Sequence, residues 1–106
     1  MASGKLGSAA PAATTNTVIY TVPVDKYAVV SISVLNRSTT ACNEIRIAVG
    51  ANTDPSTMDF LEYNVSLPPT GVVERSGVVM STGEKVVIYA QNATASVRVH
   101  GIEGDV

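Results

Sequence analysis

The chain has 106 residues, of which 45% are hydrophobic and only 15% are charged, and its formal net charge is −2. This length allows one domain whose core folds without disulfides or metals. Seven Lys and Arg residues scattered among nine acidic ones do not form the basic patch of a nucleic-acid-binding protein. No apolar run approaches the length that spans a bilayer, and the first residues lack the apolar core of a secretory signal. We therefore expect neither nucleic acid nor a membrane as a partner.

Residues 1–16 differ in composition from the rest of the chain. They are mostly Ala, Ser, Gly and Thr, and Leu6 is their only large apolar side chain after Met1. Such a segment cannot bury enough surface to offset the entropy of folding on its own. Fully extended it reaches roughly 50 Å, enough to cross a neighbouring subunit. We predict an extended N-terminal arm over residues 1–16 and a folded domain over residues 17–106; the alternative is a disordered tail.

The folded domain reads as a series of short strands. Runs rich in Val, Ile and Tyr are separated by clusters of Pro, Gly, Asn, Asp, Ser and Thr, and nothing sustains helical spacing. This pattern predicts an all-β fold, a single antiparallel β-sandwich of jelly-roll or immunoglobulin-like outline. The seven predicted strands cover residues 17–22, 26–36, 44–50, 59–67, 72–80, 85–90 and 95–102.

Alternation within these strands predicts which side chains face the core. In strand 59–67 it turns Leu61 and Tyr63 inward, and in strand 44–50 it turns Ala48 outward. The strands carry few of the residues that normally block edge-to-edge pairing. Several predicted outward positions are apolar, and exposed apolar patches usually mark contacts. These positions, which favour an oligomer, are Tyr27, Val29, Val87 and Tyr89.

Candidate catalytic residues are sparse. Ser96 and His100 would share one strand face, but Asp105 lies near the terminus, and a triad requires a third group that pre-orients the base. Cys42 lacks a histidine neighbour that would activate it. We expect no catalytic residues and therefore no enzyme.

Metal and modification motifs are equally weak. One His and one Cys cannot complete a zinc site, and the loop with Asn52, Asp54 and Asp59 lacks the ligand spacing of a calcium loop. We expect no metal and no cofactor. Three glycosylation triplets occur, and we interpret them as incidental in the absence of a signal peptide. They begin at Asn36, Asn64 and Asn92.

A set of turns and strand ends resembles, in the same order, those of a group of small virion structural proteins of tailed bacteriophages, cyanophages among them. The resemblance extends over almost the whole chain. The segments that carry it are 4–7 (GKLG), 18–23 (VIYTVP), 35–37 (LNR), 60–63 (FLEY), 71–77 (GVVERSG), 83–86 (GEKV) and 97–101 (VRVHG).

The resemblance implies a non-enzymatic role on a phage particle assembled in the host cytoplasm. Proteins of this kind serve as capsid decoration (cement) proteins, often trimeric, and as modules of tails, baseplates and fibres. The small size favours a decoration protein that binds the major capsid protein as a homotrimer, with no small-molecule substrate; a tail, baseplate or fibre module is the alternative. From another class, a carbohydrate-binding or adhesion module gains support if two or three aromatic rings line one exposed face. The predicted partner contacts are Lys5, Leu6, Tyr27, Val29, Leu35 and Tyr89.

Overall fold

Two antiparallel sheets of four strands each pack face to face in the computed structural model, which describes residues 3–106. The all-β sandwich predicted from the alternation is confirmed. Met1 and Ala2, the first two residues of the predicted arm, lie outside the described residues. The strands are β1 Ser3–Ala9, β2 Thr17–Thr21, β3 Lys26–Asn36, β4 Cys42–Gly50, β5 Phe60–Leu67, β6 Val72–Met80, β7 Lys85–Ala90 and β8 Ala95–Asp105, and a single 3₁₀ turn, Thr57–Asp59, precedes β5.

The order of the strands distinguishes between the two predicted outlines. The first sheet runs β1-β8-β3-β6 and the second runs β2-β7-β4-β5. The antiparallel pairs are nested along the chain: β4 pairs with β5, β3 with β6, β2 with β7 and β1 with β8. The two halves of the chain therefore run side by side as one long hairpin, which is wound into two layers. This is the order of an eight-stranded jelly roll.

The eighth strand comes from the segment predicted to be an arm. β1 pairs antiparallel with β8, from Ser3 opposite Ile102 to Ala9 opposite Val97, and forms one edge of the first sheet. Leu6 packs against the core. Residues 3–9 are therefore part of the sandwich within the same chain, instead of an arm that leaves it. Backbone pairing with β8 and one apolar contact hold a strand whose small side chains give no alternating pattern.

The core lies between the two sheets and is built mostly from aliphatic side chains. On β3 the inward positions predicted by alternation are confirmed, since Ala28, Val30, Ile32 and Val34 are all buried. The second sheet contributes equivalent positions of β4 and β7. The buried cluster on these two strands consists of Cys42, Ile45, Ile47, Val86, Ile88 and Ala90.

The predicted inward positions of β5 are wrong at two residues, although Leu67, also predicted inward, is buried. Leu61 and Tyr63 are exposed instead of buried. Ala48 of β4 pairs with Phe60, and its neighbour Ile47 pairs with Glu62, so Leu61 is an extra residue in β5. A second irregularity lies at Asn64, which has a positive φ of 52°. Each bulge inserts one residue and so reverses the faces of the residues that follow it.

Ala48 and Val87 were predicted to be exposed on the outer face, but both are buried. They are paired with each other across β4 and β7, and the neighbours in the same row are Phe60 on β5 and Val18 on β2. The loop between β4 and β5 also lies against this side. Its Ala51 carbonyl accepts a hydrogen bond from Lys85 Nζ at 3.2 Å.

The pairings of the four edge strands are irregular, whereas the two central pairings are regular. Each pairing of an edge strand contains at least one shift of register, whereas β3–β8 and β4–β7 pair without interruption. Bulges of this kind twist an edge away from further strands. The protection of these edges therefore lies in the backbone and not in Lys or Pro residues.

One buried polar pair joins the two sheets. The Tyr20 hydroxyl of β2 donates a hydrogen bond of 2.5 Å to Glu103 Oε2 of β8, and both residues are buried. Burial is the main cause that raises the pKa of the Tyr20 phenol above its ordinary value of 10.0, and the hydrogen bond and the charge of Glu103 add to it. The folded chain therefore keeps the Tyr20 proton at a pH where the unfolded chain releases it.

This raised pKa predicts a loss of stability in alkali. The contribution of the buried Tyr20 phenol to the free energy of unfolding is fully present below pH 10. It declines as the pH rises above 10, because only the unfolded state then loses the proton. We expect Tyr20→Phe to be less stable at neutral pH by about 1–3 kcal/mol, since a buried carboxylate loses its donor. The difference between the two proteins should shrink between pH 10 and pH 11.5 in urea unfolding measurements. Tyr27→Phe, at an exposed site, is the control. If the free energies of unfolding of wild type and Tyr20→Phe ran parallel as the pH rises, the raised pKa of Tyr20 would be contradicted.

Candidate functional site

The residues considered for catalysis do not form a constellation. Ser96 and His100 lie on the outer face of β8, on either side of the segment that contains the buried positions Val97 and Val99. Asp105 forms an ion pair with Lys26, which lowers the pKa of its carboxyl group, and so is engaged elsewhere. Cys42 is fully buried in the core.

The residues considered for calcium are used for local structure. Asp54 accepts a hydrogen bond from the Asn16 side chain at 3.3 Å. Asp59 accepts hydrogen bonds from the backbone and the hydroxyl of Ser56, the N-cap residue of the 3₁₀ turn. Among residues 3–106, no three His, Cys, Asp or Glu side chains lie together in a way that could hold a metal ion. No helix in that range has the length and apolar character to cross a membrane.

Asn36, considered above only as part of a glycosylation triplet, is a buried structural residue. Its amide nitrogen donates to the carbonyl oxygens of Thr40, Leu67 and Pro68 at 2.9, 3.3 and 3.2 Å. Its side-chain oxygen accepts hydrogen bonds from the Ser38 amide and the Thr94 hydroxyl, at 3.1 and 3.0 Å. Three separate loops are thereby joined at one amide, which leaves no room for a glycan.

The outer face of the first sheet carries an apolar row. It consists first of three direct neighbours across the strands, Val79 of β6, Val29 of β3 and Ile102 of β8. Tyr27 lies two residues before Val29 on β3 and therefore on the same face. Val79 is 71% exposed, Ile102 44% and Tyr27 39%. These four side chains form a continuous apolar surface that nothing in the described part of the chain covers.

Polar and charged side chains adjoin the apolar row on the same face. His100 lies opposite Ser31 on β3 and Lys5 on β1, next to the row. Beyond it, Ser33 separates Glu74 of β6 from Arg98 of β8. Both signs of charge are thus present beside the apolar surface.

The predicted partner contacts are distributed over both sheets and the core. Tyr27 and Val29 belong to the apolar row, and Lys5 lies on the same outer face. Leu35 is half-buried at the far end of that face, opposite Val72 and Ser96. Leu6 packs against the core, and Tyr89 belongs to the other sheet. Val79 and Ile102 were missed, because only the pairing of distant strands brings them beside Val29.

A second surface lies on the outer face of the second sheet, where an arginine is held between two tyrosines. The Arg46 guanidinium lies 4.6 Å from the centre of the Tyr63 ring and 4.2 Å from that of Tyr89. Arg46 Nε donates a hydrogen bond of 2.6 Å to Asn64 Oδ1, and Glu44 lies 3.8 Å from its terminal nitrogen. Two cation–π contacts restrain the orientation of the guanidinium and of the rings.

Next to this cluster is an open pocket of about 350 Å³ lined by Thr57, Phe60 and Tyr63. The two rings are 4.9 Å apart at 79° and form a corner. Phe60 and Tyr63 are three residues apart and would lie on opposite faces of a regular strand. The bulge at Leu61 brings them to the same face, which is why alternation did not predict this pocket.

Comparison with protein-family models, with curated proteins and with solved structures found no match to this chain. The resemblance to phage virion proteins therefore stays a prediction, and the surfaces described above are the basis for proposals about function.

Proposed function

We propose that the chain is a non-enzymatic structural protein of a bacteriophage virion, a capsid decoration protein that docks through the apolar row onto the outer surface of the head. The observation that supports this most directly is the row itself. Contiguous apolar surface on a small monomer usually marks a protein contact. Jelly rolls recur in viral capsid proteins, but that is an analogy of fold only.

The edges and the dimensions of the sandwich favour docking by a face. All four edge strands are bulged, which disfavours the addition of a further strand. The molecule measures 43 × 27 × 20 Å, so its broad face is comparable with the roughly 800 Å² that each partner contributes to a standard interface. The charged residues beside the row, of both signs, suit a protein surface with complementary charges.

A homotrimer would increase the strength of this attachment. One face of this size gives an affinity that depends on a few side chains. Three linked copies bind with an effective concentration that a single copy lacks. Sedimentation of the purified protein is expected to give three times the 11.0 kDa of one chain, whereas a monomer both in solution and on particles would contradict the trimer.

The location on the virion is tested by immunogold electron microscopy of intact particles of the phage that encodes the chain. Gold distributed evenly over the head is the expected result. Gold confined to the tail or its tip would overturn the decoration role and favour a tail, baseplate or fibre module.

The docking surface is tested by Val79→Asp on particles that lack the protein. We expect at least a tenfold loss of binding, equivalent to about 1.4 kcal/mol, because the carboxylate must lose its hydration in an apolar contact. The control is Met58→Asp, which makes the same kind of change at a 93% exposed position before β5. Equal binding of both variants in a cosedimentation assay would rule out the apolar row as the docking surface.

A further inference from the structure

We propose that the pocket formed by Thr57, Phe60 and Tyr63 binds a saccharide through a pyranose ring. The pocket lies on the second sheet, on the side opposite the apolar row, so this proposal does not depend on how the chain docks. A docked molecule would still present the pocket to its surroundings.

The volume of the pocket is sufficient for a single sugar ring. Its volume of about 350 Å³ is at the lower end of the range of small-ligand sites, about 300–1,000 Å³. A pyranose has one face of C–H groups with partial positive charge, and an aromatic ring has a negative face that attracts them. In the corner between Phe60 and Tyr63, one ring can stack on the sugar while the other closes the side.

Two of the three lining residues carry a hydroxyl group that could bind the hydroxyls of a sugar. Thr57 lines the pocket and has a hydroxyl, and the Tyr63 ring carries a phenol that donates or accepts. Arg46, stacked on Tyr63, adds a cation beside the pocket. An apolar wall with a few polar groups is the usual composition of a small-ligand site.

One of the two aromatic rings that line the pocket is exposed and yet held in place. Tyr63 is 57% exposed, so its position is not explained by packing into the core. It stacks on Arg46, which is itself fixed by Asn64 at 2.6 Å and by Tyr89. A ring that is ordered before binding loses little entropy when a ligand stacks on it. This rigidity, combined with exposure, is what a stacking platform requires.

The edge strand itself argues against an extended peptide as the ligand. A peptide that adds to a sheet needs a regular row of backbone donors and acceptors. β5 has an extra residue at Leu61 and a positive φ at Asn64, so that row is interrupted beside the pocket. Recognition must therefore depend on side chains.

The test uses four trisaccharide probes, namely chitotriose, mannotriose, maltotriose and 3′-sialyllactose. Saturation-transfer NMR followed by titration is expected to show saturable binding of at least one of them to the full chain. Tyr63→Ala should weaken that binding about tenfold or more. Tyr27→Ala, which removes an exposed tyrosine from the other sheet, should leave it unchanged.

Two results would overturn the proposal: no saturable binding to any of the four probes, or equal weakening by Tyr63→Ala and Tyr27→Ala. Phe60→Leu keeps an apolar side chain but removes the ring, and should also weaken binding while unfolding at the same temperature as wild type. Val79→Asp should retain the wild-type saccharide affinity whether or not it still binds particles, so failure of the docking proposal and failure of this one are distinguishable.

Discussion

Gly101→Ala is expected to destabilise the chain by about 3 kcal/mol or more. A Cβ atom at Gly101 would lie 2.1 Å from the Val29 carbonyl oxygen and 2.8 Å from the Val30 Cα. Both are backbone atoms of β3, so no side chain can move aside to relieve the contact. The clash falls within the uninterrupted β3–β8 pairing at the centre of the first sheet.

The matched control for this substitution is Gly77→Ala. Gly77 has a φ of +68°, but a Cβ there would meet nothing within 4 Å. Only the cost of the backbone conformation remains, about 1–2 kcal/mol. Urea unfolding of the two variants separates steric clash from conformational strain, and equal losses of stability would show that β3 and β8 can separate at little cost.

Asn36→Asp should lower the free energy of unfolding at neutral pH by about 3–5 kcal/mol. The substitution keeps the shape of the side chain but replaces its donating nitrogen with oxygen. That nitrogen faces the carbonyl oxygens of Thr40, Leu67 and Pro68, which a carboxylate would repel. Because the site is fully buried, water cannot supply the missing donor.

The pH dependence of this loss identifies its cause. Protonation of the introduced carboxyl group restores one donor, so the deficit should be smaller at pH 4 than at pH 7. Asn52→Asp makes the same change in an exposed loop, and we expect it to alter stability by less than about 0.5 kcal/mol. A deficit for Asn36→Asp that is independent of pH would indicate that packing, and not the three carbonyl contacts, makes Asn36 important.

Seven of the eight strands could be predicted from local sequence because their aliphatic residues alternate with polar ones. β1 was missed for a physical reason. Its Ser, Gly and Ala side chains have no preferred face, and it is held by backbone pairing with a strand about 95 residues away. Asn36 was missed as well, because its partners come from three loops that meet only in the folded molecule.

The two candidate surfaces could be predicted only in part from the local sequence. Tyr27 and Val29 were predicted as contacts because they alternate with buried residues of one strand. Val79 and Ile102 join them only through the register of β6 and β8 against β3. Phe60 and Tyr63 meet only because of a bulge, and a bulge is a property of paired backbones that a pattern of side chains does not encode.

The nested strand order also has a kinetic consequence. Closing the short connection between β4 and β5 costs little chain entropy, whereas joining β3 to β8 closes a loop of most of the chain. A topology dominated by such distant contacts is expected to fold slowly, in milliseconds to seconds. Val29 and Ile102 become neighbours only after β3 has joined β8, so a newly synthesised chain acquires the apolar row only after most of its length has been made and paired.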